Sequence, residues 1–93
     1  MTFNFDWDKE KERANLKKHK VSFDEASTVF NDPFYFTIDD TLHSTGEYRF
    51  IVIGYSQTQQ LLFVVYTERG DNIRIISARP ATSRERRIYE QGF

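Results

Sequence analysis

Between residues 48 and 79, three strand-like runs are separated by turns so short that adjacent strands can only pair antiparallel. The runs are Tyr48–Tyr55, Leu61–Glu68 and Asn72–Arg79. Ser56 to Gln60 forms the first turn and Arg69-Gly70-Asp71 the second. The middle run opens with Leu61-Leu-Phe-Val-Val-Tyr66, apolar on both faces, which predicts a central strand covered from both sides. Pro80, with no N–H to give a ladder, ends the third run.

The flanking segments fit around this meander. Phe3 to Trp7 alternates apolar and polar residues, the pattern of a half-buried strand. Asp6 or Asp8 can then cap a helix running to about Lys18 or His19, with Trp7, Ala14 and Leu16 as its candidates for burial. A second helix opens at the S-x-x-E capping box of Ser22 and Glu25, with Val21 and Ala26 as a hydrophobic staple. Asn31-Asp32-Pro33 stops it. Phe34–Ile38 is a strand candidate, followed by a polar loop from Asp39 to Gly46 that contains His43. Thr82 and Glu85 make another capping box, opening a last helix through Tyr89 or Glu90. The order is β-α-α-β-β-β-β-α. It predicts a single α+β domain over residues 1–93: a twisted antiparallel sheet of about four to five strands, two N-terminal helices and one C-terminal helix.

With 93 residues and no cysteine, neither disulfides nor a thiolate metal site can support the fold. The core must draw on nine Phe, five Tyr and Trp7, and a partner covering apolar surface would add stability by mass action. No stretch approaches the roughly 18 apolar residues of a membrane span, and the N-terminus lacks a signal-peptide pattern. The expectation is a cytoplasmic protein. Net charge is −1, but it is unevenly spread. Residues 1–47 carry ten acidic and six basic residues; residues 48–93 carry seven Arg and four acidic residues. Arg presents a planar fork suited to phosphate or carboxylate, although an ordinary solvated surface would use the same residues.

Three stretches, in order, resemble the BrnT toxins, small ribonucleases with a RelE-like fold. The first runs from Phe5-Asp-Trp7-Asp8 through Lys11, Asn15, Lys18 and His19 to Val21-Ser-Phe-Asp-Glu-Ala26. The second is Leu61 to Gly70 (LLFVVYTERG), and the third is Ile73 to Glu90 (IRIISARPATSRERRIYE). With the Arg49–Gly54 strand, the resemblance spans almost the whole chain. It implies the toxin of a type II toxin–antitoxin system, an endoribonuclease that needs neither metal nor other cofactor. It also implies inhibition by a BrnA-like ribbon-helix-helix antitoxin in a hetero-oligomer that reaches operator DNA only through the antitoxin. Two departures stand out. Lys20 sits where the family usually has Gly, and Pro80 where it often has a basic residue.

Metal-free RNA cleavage turns the ribose 2′-hydroxyl on the adjacent phosphate. It requires a base, cations for the phosphate and an acid for the leaving oxygen. Arg79, at the end of the last strand beside a helix N-terminus, is the first candidate for the phosphate; the alternative is an ion pair with Glu85 or Glu90. Tyr89, with Arg86 one turn earlier, occupies the place where RelE-like toxins carry a proton-transfer residue; alternatively its ring packs on the sheet beside Ile88. Glu68 is a candidate base, or else an ion-pair partner of Arg49 or Arg74. His19 is a generic acid–base group among lysines, or a helix C-cap. Lys18, Arg49 and Arg86 complete an RNA-binding set; the Arg84–Arg87 run suits a phosphate backbone, and equally a solvated helix face or the surface that meets an acidic antitoxin. Two His twenty-four positions apart make no recognisable metal site. The competing function is a non-catalytic module that only binds a partner protein.

Overall fold

The computed structural model describes residues 3–40 and 46–92. Five strands, β1 (Asn4–Trp7), β2 (Phe36–Asp39), β3 (Arg49–Tyr55), β4 (Leu61–Arg69) and β5 (Asn72–Pro80), form one sheet in the order β1-β5-β4-β3-β2. Helices α1 (Lys9–His19) and α2 (Phe23–Ser27, continued by a 3-10 turn over Thr28–Asn31) lie between β1 and β2, and α3 (Ser83–Gln91) closes the chain. The expected α+β class and element order hold. The sheet is mixed, however, rather than wholly antiparallel, because β1 pairs parallel to β5, Asn4 opposite Asn72 and Trp7 opposite Ile75. Tight turns dictate direction only for β3, β4 and β5. The first strand reaches the sheet edge through two helices, which leaves its direction to packing.

Local signals act as their chemistry requires. Asp8 caps α1 through Glu10 N and Lys11 N, and these bonds, that from Lys11 foremost, hold its carboxyl below the ordinary aspartate range. Thr82 and Glu85 form the complete reciprocal box at α3. At α2, Ser22 Oγ accepts from Glu25 N, but the Glu25 carboxylate turns to the hydroxyls of Ser56 and Thr58 in the β3–β4 turn. Lys20 ends α1 in the left-handed conformation (φ 62°) that Gly adopts freely. A side chain there costs about 1 kcal/mol relative to Gly. The predicted strand at Phe34–Ile38 begins later, at Phe36, because the Asp32 carboxylate draws the chain into a turn through Phe34 N (2.9 Å) and leaves Phe34 exposed.

One face of the sheet is filled. Leu62, Val64 and Tyr66 of β4, Val52 of β3 and Ile73, Ile75 and Ala78 of β5 pack against Val21, Phe23, Ala26, Val29 and Phe30. Phe30 is the hub, its ring 5.2–5.7 Å from those of Phe3, Phe5, Tyr35 and Tyr66. The expectation that Ala14 and Leu16 anchor α1 does not hold. Both are exposed, and the buried residue of α1 is the polar Asn15.

The other face carries Leu61, Phe63 and Val65 of β4 with Ile51 and Ile53 of β3, by the two-residue alternation of strands. β4 is central, as expected, but its second face is covered at one end only. There α3 packs against β3, the Tyr55 and Tyr89 rings meet edge-on at 5.3 Å, and Ile53 is fully buried. Phe63 and Val65 stay half-exposed. Gly54 allows the close approach of the 3-10 turn, since a Cβ there would lie 2.8 Å from Val29 Cγ1 and 3.2 Å from Tyr35 Cβ. Gly54→Ala is expected to destabilise the fold by about 1–3 kcal/mol, read as a lower urea midpoint at unchanged slope.

Candidate RNA-binding groove

The uncovered half of the sheet is a groove of about 500 Å³ lined by Asp40, Arg49, Ile51, Phe63, Val65, Ile76, Ser77 and Arg79. A second hollow of about 230 Å³, lined by Lys11, Ala14, Asn15, Lys18, His19, Ile76 and Ser77, adjoins it. Ile76 and Ser77 belong to both, so the two meet over β5.

What joins them is a β-bulge. Val65 pairs with Ser77 but Tyr66 pairs with Ile75, which leaves Ile76 as the extra residue on β5. Ile73 and Ile75 point into the core, and in a regular strand residues 77 and 79 would follow them. The bulge reverses the alternation. Ala78 takes the core position, and Ser77 and Arg79 face the groove.

Arg79 lies with its guanidinium carbon 4.0 Å from the Phe63 ring centroid. NH1 and NH2 donate to the two carboxylate oxygens of Glu85, each at 2.8 Å, and NH1 also reaches Pro80 O at 3.3 Å. The ion pair foreseen as the alternative for Arg79 is therefore formed, and it is formed beside an open groove. The Arg79 hydrogen bond, set against the opposing effect of burial, holds the Glu85 carboxyl below the usual glutamate range, and the same bond raises Arg79. A guanidinium has five N–H donors. A phosphate would meet those that Glu85 leaves or displace the carboxylate.

Of the residues singled out in the sequence, Arg79, Arg49, Lys18 and His19 line these adjoining hollows; Glu68, Tyr89 and Arg86 do not. Glu68 is exposed near the far end of β4, five residues from Phe63, or about 17 Å along the strand, and on the opposite face. Of its two expected ion-pair partners, Arg74 bonds Asp6 at 3.0 Å and Arg49 lines the groove on the other face. The charge of Glu68 adds to burial in pushing the Tyr66 phenol up to about 12.

Tyr89 donates from its hydroxyl to Asp32 Oδ2 at 2.6 Å, and Arg86 NH1 donates to Tyr55 Oη at 3.1 Å. Burial first, then the Asp32 hydrogen bond, pushes the Tyr89 phenol well above its ordinary value, the reverse of what a base at neutral pH requires. These two residues pin α3 to the sheet end, beside a separate hollow of about 420 Å³ that includes Asp32, Tyr55, Gln57 and Tyr89.

His43 lies outside the described residues. Among those described, no three His, Asp or Glu side chains cluster as metal ligands would, and no helix is long and apolar enough to cross a membrane. Sequence reasoning did not single out Phe63, Ser77 or Asp40. Phe63 was recoverable as the partner of Arg79 across the β4–β5 turn, but only with the bulge known.

The groove lies on the open half of a mixed five-stranded sheet flanked by three helices, an α+β architecture. Residues 7–85 match the family described as the ribonuclease toxin BrnT of type II toxin–antitoxin systems. The chain belongs to that family. The crystal structure of the Brucella abortus ribonuclease toxin BrnT superposes with a TM-score of 0.66 at 20% identity, covering 88% of this chain and 100% of that one, which establishes the shared fold. No curated protein matches the chain.

Two outcomes follow from the geometry. Because the folded pKa of Glu85 lies below its unfolded value of about 4.3, the stability it contributes is complete above that pH and is lost as pH falls through the folded value. Urea midpoints of the wild type should drop below about pH 4.3 more steeply than those of Glu85→Gln. Tyr89→Phe removes one hydrogen bond to a carboxylate and should lower stability by about 1–3 kcal/mol in the same assay.

Proposed function

We propose that this protein is the toxin of a type II toxin–antitoxin pair acting in the cytoplasm as a metal-independent endoribonuclease, with its RNA in the groove over β5. The observation that carries the reading is the convergence of Arg79, Arg49, Lys18 and His19 on adjoining hollows that meet at the Ile76 bulge. Arg79 takes the scissile phosphate and steadies the charge that develops on it. Arg49 and Lys18 hold flanking phosphates, contacts that position a strand without reading its sequence. His19 exchanges the proton of the 2′-hydroxyl or of the leaving oxygen. The apolar floor of Ile51, Phe63 and Val65 suits an unpaired base beside its phosphate.

In this reading Tyr89 and Arg86 anchor α3, and Glu68 has no step. Neutralisation falls to a BrnA-like ribbon-helix-helix antitoxin, whose own DNA contacts supply operator binding. An inhibitor carrying acidic side chains would meet the charges that RNA meets.

The rival reading, a module that only binds a partner protein, draws on the Arg79–Glu85 pair, since an Arg kept for structure alone would look the same. The two part at one experiment. Antitoxin-free protein in EDTA should cleave single-stranded RNA, and Arg79→Ala should slow cleavage by about 100-fold or more. Expression should arrest growth, and the substitution should relieve the arrest. Intact RNA at micromolar protein, with growth unaffected, would leave the binding module standing.

A further inference from the structure

We propose that Asn15 is the positioning residue of this groove: by holding the backbone of Ala78 and of Val21, it fixes the direction of Arg79 and the end of α1 that carries Lys18 and His19. The inference rests on the reading that Arg79 holds the phosphate.

β1 accompanies β5 only as far as Ile75, opposite Trp7. Past that point no strand among the described residues covers the outer edge of β5, and the Asn15 side chain takes the place of one. Its Oδ1 accepts from Ala78 N at 3.0 Å and its Nδ2 donates to Ala78 O at 2.8 Å, the two bonds a neighbouring strand residue would make. Nδ2 also donates to Val21 O at 3.0 Å, in the connection between α1 and α2. Asn15 is 7% exposed, the buried residue of a helix whose other side chains are polar or exposed. An aliphatic side chain at 15 would leave Ala78 N–H and two carbonyls buried without partners.

The location makes this more than a stabilising contact. Ala78 sits between the bulge at Ile76 and Arg79. Moving the bulge along β5 by a residue or two would exchange the faces of the residues it passes. Carried past Arg79, it would send that side chain toward the core and Ala78 outward. The Asn15 bonds hold the register that keeps the guanidinium over Phe63. Through Val21 the same amide ties down the turn following His19, so one side chain sets the spacing between the two halves of the groove.

The test uses the full chain, ¹⁵N-labelled, as wild type, Asn15→Ala, Asn15→Asp and Arg79→Ala, with the double variant Asn15→Ala/Arg79→Ala. The Arg79 Nε–H resonance is read first, since it needs no activity. It should be a single line in the wild type and should split or broaden in Asn15→Ala while core amides such as Val52 keep their positions. An unchanged Arg79 line in a folded variant overturns the proposal. Asn15→Asp keeps the acceptor for Ala78 N–H but loses both donors. It is read in the same way if the alanine variant does not fold, and collapse of both variants assigns Asn15 to stability alone, which also overturns it.

Cleavage of single-stranded RNA is the second readout. Asn15→Ala should lower kcat/KM by about tenfold or more, and the double variant should lose less than the two single losses combined, because part of the Asn15 effect passes through Arg79 and the rest through Lys18 and His19. Losses that add would mean that Asn15 does not act through Arg79. Should Arg79→Ala cleave like the wild type, the reading of Arg79 falls, and the resonance still decides the role of Asn15.

Discussion

A charged guanidinium cannot be left in an apolar core without a partner, and the strand that carries Arg79 also carries Ile73 and Ile75 into that core. Alternation alone would bury residue 79. One inserted residue, Ile76, resolves the conflict by reversing the alternation, so that Ala78 fills the small core position and Arg79 emerges on the other side. The groove, its chemistry and the placing of α3 all follow from that reversal. Only with Arg79 on the open face can Glu85 reach it from the first turn of α3.

The two faces of the sheet divide the work. Aromatic rings centred on Phe30 fill one face, and their burial supplies the apolar stabilisation that a chain of 93 residues without cysteine has to find. On the other face α3 is held at both ends by polar contacts, Arg79–Glu85 near its start and Tyr89–Asp32 near its finish. These contacts fix the helix over Ile53 and leave Phe63 and Val65 half-exposed. The groove is thus the part of the second face that a short helix cannot reach.

Much of the fold could be read in advance because it is governed by local chemistry. Tight turns set β3, β4 and β5 antiparallel, Thr82 and Glu85 open α3, and Asp8, one of two candidates, caps α1. The misreadings came where long-range packing decides. The direction of β1 depends on what lies beside it after two helices have intervened. Of Trp7, Ala14 and Leu16, expected to bury α1, only Trp7 packs on the core, Leu16 is 47% exposed, and the helix docks through an amide whose partners are 6 and 63 residues away.

The candidate site divides along the same line. Residue types and spacing singled out Arg79, Arg49, Lys18 and His19, because cations and an imidazole are what phosphate chemistry demands wherever they stand. By itself, then, the order of residues determined the class of fold, the family and the chemical vocabulary of the site. Which candidates meet was left to the tertiary structure. It separates Glu68 from Arg79 by strand length and face, and it ties Tyr89 to Asp32. The physical reason is that a bulge or an exposed edge leaves almost no local signature, yet each changes which side of a sheet a side chain occupies.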